Sequence, residues 1–444
     1  SREALGRPID LYLLHAVDPK TPLATSVRAL MELRDEGLVR EIGLSNVTRA
    51  QLDEALALTT LGAVQLAVSL LDDTAIRGGV VQRALEAGVP VLCHSPLGGP
   101  KRHAQLARQA WLVERAREAG CTPHEWALAS LLSLHEQVVV LPGARRVETV
   151  RSARRAAALR VLREAEAPAP APRPGGPREV RLLMGVQGAG KSSAVAALVS
   201  DGWARLNRDT EGGTLEQLHR KLEAMLVAGT SRVVLDNTYV TRAQRGAVLQ
   251  LARRHGVPVH GVWHDISPED AQVNIVGRML DVHGRLLSPT ELKRGKTPDA
   301  LSPRALFSTL RAVEPLGDDE GFTTLSRVPF VRRPEPPGRP ALFLGLELLH
   351  ADGRWADGLA EALAQHPDWP RVLVGWREGG VVPPADVENA VCPHAGGPPE
   401  CWCRPPLPGL VLERARARGL ALRQSRLITT SPVLRRLGDT LGLA

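Results

Sequence analysis

Arg178–Ser200 reads REVRLLMGVQGAGKSSAVAALVS, and its three parts decide how the middle of the chain is read. REVRLLMGV is an apolar run suited to a buried strand. Gly185–Ser192, GVQGAGKS, fits G-x-x-x-x-G-K-S. Ser193 to Val199 is an apolar helix. Strand, glycine-rich turn and helix in that order form a phosphate cradle. The glycines let backbone amides turn inward, Lys191 neutralises β/γ oxygens, and the Ser192 hydroxyl ligates Mg²⁺. The helix N-terminus adds partial positive charge. The stretch therefore implies bound ATP with Mg²⁺, held by Gly185, Gly188, Gly190, Lys191, Ser192 and Ser193. It also implies a parallel sheet of the P-loop NTPase type.

Downstream, Ala204–Asp209 (ARLNRD) predicts a second strand ending in Asp209. Ser231–Asn237 (SRVVLDN) predicts a third, ending in Asp236, and Thr241–Arg254 a helix. LNRD and VLDNTYVTRAQR resemble the kinase module of the phage-type polynucleotide kinase/phosphatase family over most of 178–300. The resemblance implies that Asp209 is the general base for an acceptor 5′-hydroxyl and that Asp236 lies near acceptor or metal. An attacking alcohol needs such a carboxylate. The run from Asn274 to Arg285 is similar to the family's lid, with Arg278 first and Arg285 second as arginines closing over phosphates. Lys293, Arg294 and Lys296 form a basic run suited to a nucleic-acid backbone or to solvent. Where the family often carries Arg three residues after the base, this chain has Gly212. Tyr239 and Trp263 are the nearby Tyr and Trp for base stacking. A nucleic-acid 5′-OH end and a small hydroxylated acceptor both stay open.

Two proline-rich stretches, 166–177 and 333–339, divide the chain into 1–165, 178–332 and 340–444. The first segment alternates strands (Asp10–His15, Arg40–Asn46, Ala63–Leu70, Val89–His94, Val138–Leu141) with helices, among them Leu23–Leu38, Arg49–Leu58 capped by Thr48, and Val80–Ala87. A helical stretch, His103 to Leu134, breaks near Gly120. This is an α/β pattern with parallel strands. DLYLLH, EGLVREIGLSN, AVQLAVSLLD, VPVLCHSPLGG and VVVLPGARR resemble the fourth to eighth strands of an aldo-keto reductase, an eight-stranded β/α barrel. The resemblance implies a partial barrel and an NADPH site at the strand ends. His15 matches the active-site histidine. Ser45, Asn46 and Gln65 match the carboxamide-holding residues, and Ser95 and Gly98 the ribose and phosphate loop. Arg145 and Arg146, after Gly143, match the adenosine-phosphate region. The family's catalytic Asp, Tyr and Lys lie on the half without counterpart here, and Thr149, Ser152 and Ala153 replace its adenine-side residues. Carbonyl reduction is therefore not expected of this segment alone. The sequence begins at Ser1 without an initiator Met, which leaves open a reductase completed by upstream sequence.

The last segment (PALFLGLELL from Pro340, RVLVG from Arg371, and Cys392–Gly409) resembles haloacid dehalogenase-type phosphatases of the heptose-bisphosphate and histidinol-phosphate group. That implies a smaller Rossmann-like domain. The family's nucleophile and acid/base positions are Gly345 and Glu347. Its later motifs fall on Trp376, Pro405 and Thr429-Thr430-Ser431, so an inactive phosphatase-like domain is expected. Cys392, His394, Cys401 and Cys403 nevertheless offer three thiolates and an imidazole, suited to structural Zn²⁺.

Over all 444 residues, hydrophobic residues make up 43% and charged residues 23%, which excludes wholesale disorder. No apolar run reaches ~18 residues, so no membrane partner is expected. SREALGRPID lacks the apolar centre of a signal peptide. Five cysteines, three of them crowded together, argue for metal in a reducing compartment, with cytoplasm the default. Net charge is +8, but only 6 of the 56 basic residues are lysine. That Arg-rich bias fits genomic composition as well as it fits a nucleic-acid partner. The leading expectation is a phosphotransferase. The alternatives are an NADPH-dependent reductase and a non-catalytic nucleotide-binding scaffold.

Overall fold

The computed structural model describes residues 5–18, 21–144, 146–159, 178–295, 298–350 and 352–444. The expected linker 166–177, Arg145 and Lys296 lie outside these. By contacts the chain forms two compact units. The first is Ser1–Pro174 with Thr241–Val257 and Glu314–Gly321; the second is Gly175–Val240 with Pro258–Val313 and Phe322–Ala444. The stretch 333–339 does not separate contact units, and one helix from the middle of the sequence counts with the first unit.

In the first unit, β1 (Ile9–Leu14), β2 (Val39–Ser45), β3 (Ala63–Ala67), β4 (Val91–His94) and β5 (Val138–Leu141) lie side by side in sequence order. Every pairing is parallel. Five consecutive strands in barrel order, open at both edges, agree with a partial barrel. Val27 and Leu52 from the intervening helices pack with Ile42, Leu44, Val64 and Val91, all fully buried. Burying each such side chain contributes roughly 1.5–3 kcal/mol. Thr48 caps the helix Arg49–Leu56 as expected, and Gln51 completes a capping box with it. The predicted third strand stops early because Ser69 and Asp72 exchange backbone hydrogen bonds of 2.9 and 3.1 Å. The stretch His103–Leu134 divides twice, into Gly99–Leu106, Ala110–Glu118 and Pro123–Leu132.

The helix Arg242–Arg254 is fastened within this unit by charge. Arg245 is fully buried and grips Glu320 with two bonds of 2.6 and 2.7 Å. Arg242 meets Asp319 at 3.0 and 2.8 Å, and Arg49 shares the same carboxylate. The hydrogen bonds from Arg242 and Arg49 hold the Asp319 carboxyl down at about 2.

The second unit holds two parallel sheets. One has the order β10 (Thr324–Pro329), β9 (Val259–Asp265), β6 (Glu179–Met184), β8 (Arg232–Asp236), β7 (Ala204–Leu206). The other has β13 (Val387–Cys392), β12 (Arg371–Trp376), β11 (Leu342–Gly345), β14 (Arg426–Ile428). In the first sheet β6 is central, so its C-terminal end opens where the flanking strands β8 and β9 also end, the usual ligand position in such sheets. One expectation needs correction. Strand β7 stops at Leu206, and Asp209 sits in a four-residue helix, Arg208–Glu211. Asn207 caps that helix, accepting from the amides of Asp209 (2.7 Å) and Thr210 (3.2 Å).

Candidate active site and metal centre

The turn after β6 is wrapped tightly. Gly188 has φ +84°, and a Cβ there would lie 2.8 Å from the Ala271 carbonyl oxygen. The Lys191 ammonium donates to the carbonyls of Gly185 (2.7 Å) and Val186 (2.9 Å). Burial pulls its pKa down to about 8; Asp236 and Asp209 oppose that shift and Arg278 adds to it. Those four side chains therefore share one electrostatic neighbourhood at the ends of β6 and β8. Asp236 is buried and accepts from Arg205 at 2.6 Å, while Asn207 reaches both its carboxylate and its backbone carbonyl. Asp209 is exposed. Arg278, on the helix Pro268–His283, is part-buried; burial lowers its pKa against Asp299 and Asp209. Ser192 and Ser193 are exposed in the first turn of the helix Lys191–Ser200, which Gly190 precedes at φ +83°. The arrangement places a cation for phosphate, a buried carboxylate and an exposed carboxylate around one loop.

Other candidates fare differently. Arg285 is engaged by Glu291 at 2.6 and 3.0 Å. Tyr239 and Trp263 are both buried, so neither presents a face for base stacking. Two residues went unnoticed in the sequence. His264, at the end of β9, is 6% exposed, its Nε2 has no hydrogen-bond partner, and burial and Lys191 lower its pKa. A polar residue inside the apolar run VHGVWHD was the available signal. Asn274 donates to the Gly188 carbonyl at 2.6 Å, a contact no local pattern announces.

In the first unit the strand ends gather a polar cluster. Asn46 donates to the His15 carbonyl and to Ser45 Oγ, both at 3.1 Å, and meets His94 Nε2 at 2.9 Å. Ser45 donates to Gln65 at 3.4 Å, and His94 Nδ1 lies 3.2 Å from Ser95 Oγ. Burial, then His15, lowers the His94 pKa. Gly98 turns left-handed ahead of the helix Gly99–Leu106, and Arg146 precedes the helix Val147–Ala158. The structure thus brings the expected residues His15, Ser45, Asn46, Gln65 and Ser95 together and adds His94, which the sequence reading did not single out. Ser152, one of the residues standing where the resemblance puts the adenine side, donates to the buried Glu125 at 3.0 Å, and Arg155 does so at 2.7 Å.

Cys392, His394, Cys401 and Cys403 converge, with all four ligand atoms within 4.8 Å of one another. Cys392 Sγ lies 3.3 Å from Cys403 Sγ and 3.8 Å from Cys401 Sγ; His394 Nδ1 lies 3.1 Å from Cys403 Sγ. Three thiols and one imidazole nitrogen so spaced fit a tetrahedral ion. The loop is propped from outside: Trp376 Nε1 donates to the His394 carbonyl at 2.7 Å, and the Arg404 guanidinium stacks on the Trp376 ring at 4.9 Å. At Gly345 a Cβ would lie 2.3 Å from Glu347 Oε1. That oxygen accepts from the amides of Thr430 (2.8 Å) and Ser431 (3.1 Å) and from the Thr429 hydroxyl.

Residues 1–169 match the Aldo/keto reductase family, and residues 211–287 match an AAA domain family. The second match begins after the phosphate loop and Asp209. An aldo-keto reductase of Strobilurus tenacellus is 29% identical, covering 37% of this chain and 58% of that protein. One of Gibberella moniliformis is 34% identical, covering 25% of this chain and 31% of that protein. The chain thus spans between about a third and three fifths of the curated relatives it matches. Among solved structures, a thermostable aldo-keto reductase in complex with the inhibitor epalrestat is 31% identical, with TM-score 0.34 over 37% of this chain and 60% of that one. An aldo/keto reductase from Klebsiella pneumoniae, in complex with NADP and acetate, is 26% identical, with TM-score 0.33 over 37% and 58%. The N-terminal part of this chain is thus similar to aldo/keto reductases over part of their length, and residues 211–287 are similar to an AAA domain. Among the described residues no helix is long and apolar enough to cross a membrane.

Proposed function

We propose that the second unit transfers the γ-phosphate of ATP, with Mg²⁺, to a hydroxyl, and that the acceptor is the 5′-OH end of a polynucleotide. The observation that carries this reading is the shared neighbourhood of Lys191, Asp236, Asp209 and Arg278 around the glycine loop. Lys191 and Arg278 offset charge on the transferring phosphoryl group. The Ser192 hydroxyl takes Mg²⁺, which when bound neutralises phosphate oxygens. Asp209, free in solvent on its capped turn, accepts the acceptor's proton. Residues 340–444 form an inactive phosphatase-like domain whose Cys/His quartet holds one structural Zn²⁺. Four protein ligands leave such an ion no open position for chemistry.

The test is labelled ATP with 5′-OH RNA, 5′-OH DNA and nucleosides as competing acceptors. Asp209→Asn keeps the shape and removes the base, so ATP binding persists while transfer falls by ~10² or more. Labelling of nucleosides alone would move the acceptor to small molecules. Unchanged transfer by Asp209→Asn would reduce Asp209 to a turn residue.

A second reading is favoured by the family match of residues 1–169 and by the cluster of His15, Ser45, Asn46, Gln65 and His94. It makes the first unit the NADP(H)-holding part of an oxidoreductase completed by further sequence. NADPH binding to this chain, measured by quenching of its fluorescence, separates the two readings.

A further inference from the structure

Three carbonyls of the phosphate loop are taken by side chains, and they divide by direction. Those of Gly185 and Val186 are taken by Lys191 from within the loop. That of Gly188 is taken from outside by Asn274, at 2.6 Å. A carbonyl can only accept, so the Asn274 amide nitrogen must face it. A trans peptide carries its oxygen and its hydrogen on opposite sides. Pinning the Gly188 oxygen outward therefore aims the Ala189 N–H into the loop. It does point there: the inward-facing Val186 carbonyl is its weak acceptor, at 3.4 Å. The loop leans on the same helix below this bond, since a Cβ at Gly188 would strike the Ala271 carbonyl at 2.8 Å and Ile275 at 3.2 Å. Asn274 and Arg278 stand four residues apart on the helix Pro268–His283, hence on one face.

We infer that Asn274 is a positioning residue for nucleotide, latching the glycine loop to the helix that carries Arg278 so that the Ala189 amide meets the β-phosphate. This rests on the kinase reading of the site and goes beyond it. Asn274 touches no phosphate itself; it sets a peptide plane that does. Nucleotides with a β-phosphate depend on the latch, and nucleoside monophosphates do not.

The experiment is calorimetric binding of ATP, ADP and AMP to the full chain with Mg²⁺, for wild type, Asn274→Ala and Asn274→Asp, with melting temperatures measured without nucleotide. Asn274→Asp keeps the side-chain shape but turns an acceptor on an acceptor, so it tests the latch even if Asn274→Ala packs poorly. Expected is a loss of about tenfold in ATP and ADP affinity for both variants, the size of one well-placed hydrogen bond, with AMP affinity within twofold of wild type. Equal weakening of all three nucleotides would make Asn274 merely structural and overturn the inference. Wild-type ATP affinity in Asn274→Asp would also overturn it and leave the kinase reading standing. If wild-type protein binds no ATP, the kinase reading itself falls, and the latch with it.

Discussion

The two sheets of the second unit solve the same local problem in opposite ways. Each ends its central strands against a turn and a helix N-terminus. After β6 the turn is glycine-rich, its lysine is buried, and the exposed Asp209 and part-buried Arg278 stand in its electrostatic reach. After β11 the corresponding space is filled from within. Gly345 offers no side chain, and the Glu347 carboxylate occupies its room and binds the amides that open the helix Pro432–Leu441. An anion site can thus be kept for a substrate or satisfied by the protein's own carboxylate. The second solution trades chemistry for a stable terminus. Trp376, at the end of the neighbouring strand β12, likewise spends its donor on the protein itself, at the His394 carbonyl of the Cys/His loop.

The sharpest way to break this contrast is at Lys191. Lys191→Met is expected to lower phosphoryl transfer by roughly 10³ through loss of transition-state charge stabilisation. Its stability should also depart from wild type with pH. The wild-type lysine has a pKa lowered to about 8, so its buried charge penalises folding fully below pH 8. That penalty disappears as pH rises from 8 to the ordinary lysine range. Denaturation at pH 7 and near pH 11 should therefore show wild type gaining about 3 kcal/mol on Lys191→Met. Parallel stability curves would mean that Lys191 is well solvated.

Next in size is the buried pair of the first unit. Glu320→Ala leaves Arg245 charged and without solvent, and should cost about 3–5 kcal/mol in urea unfolding. A loss under 1 kcal/mol would show that water reaches Arg245. Cys401→Ser should then lower bound zinc from about one equivalent to near none and the melting temperature by ~5 °C, because metal binding contributes to folding. Purified wild type without zinc would remove the metal from the comparison. The smallest effect is expected at Asp319, whose carboxyl is held low and half exposed. Its ion pairs contribute stability above about pH 4, which is lost as pH falls through 2. Asp319→Asn should therefore cost about 1 kcal/mol at pH 7 and nothing near pH 2. A constant difference across that range would exclude the carboxylate as its source.

What could be read from the sequence followed the range of the interactions. The phosphate loop and the Cys/His quartet are short-range patterns, and both close in space around one point. The five strands of the first unit carry their periodicity locally and stand in the expected order. The helical turn under Asp209 was misread because Asn207 ends the strand with a side-chain cap, a competition that strand propensity does not contain. The placement of Arg242–Arg254 in the first unit rests on partners distant in sequence: Arg77, which donates to the Ala243 carbonyl, and Asp319 and Glu320, some seventy-five residues on. His94 was passed over because a lone histidine at a strand end has no pattern. It acquires meaning only beside Asn46 and Ser95.

Glu347 also decides what a side chain placed at 345 would meet. The Cβ of an aspartate there would lie 2.3 Å from the Glu347 oxygen, so the Glu347 side chain would have to swing aside to admit it. Removing Glu347 frees the room, but it strips the amides of Thr430 and Ser431 of their acceptor. One carboxylate thus both fills the room beside Gly345 and serves the amides of Thr430 and Ser431.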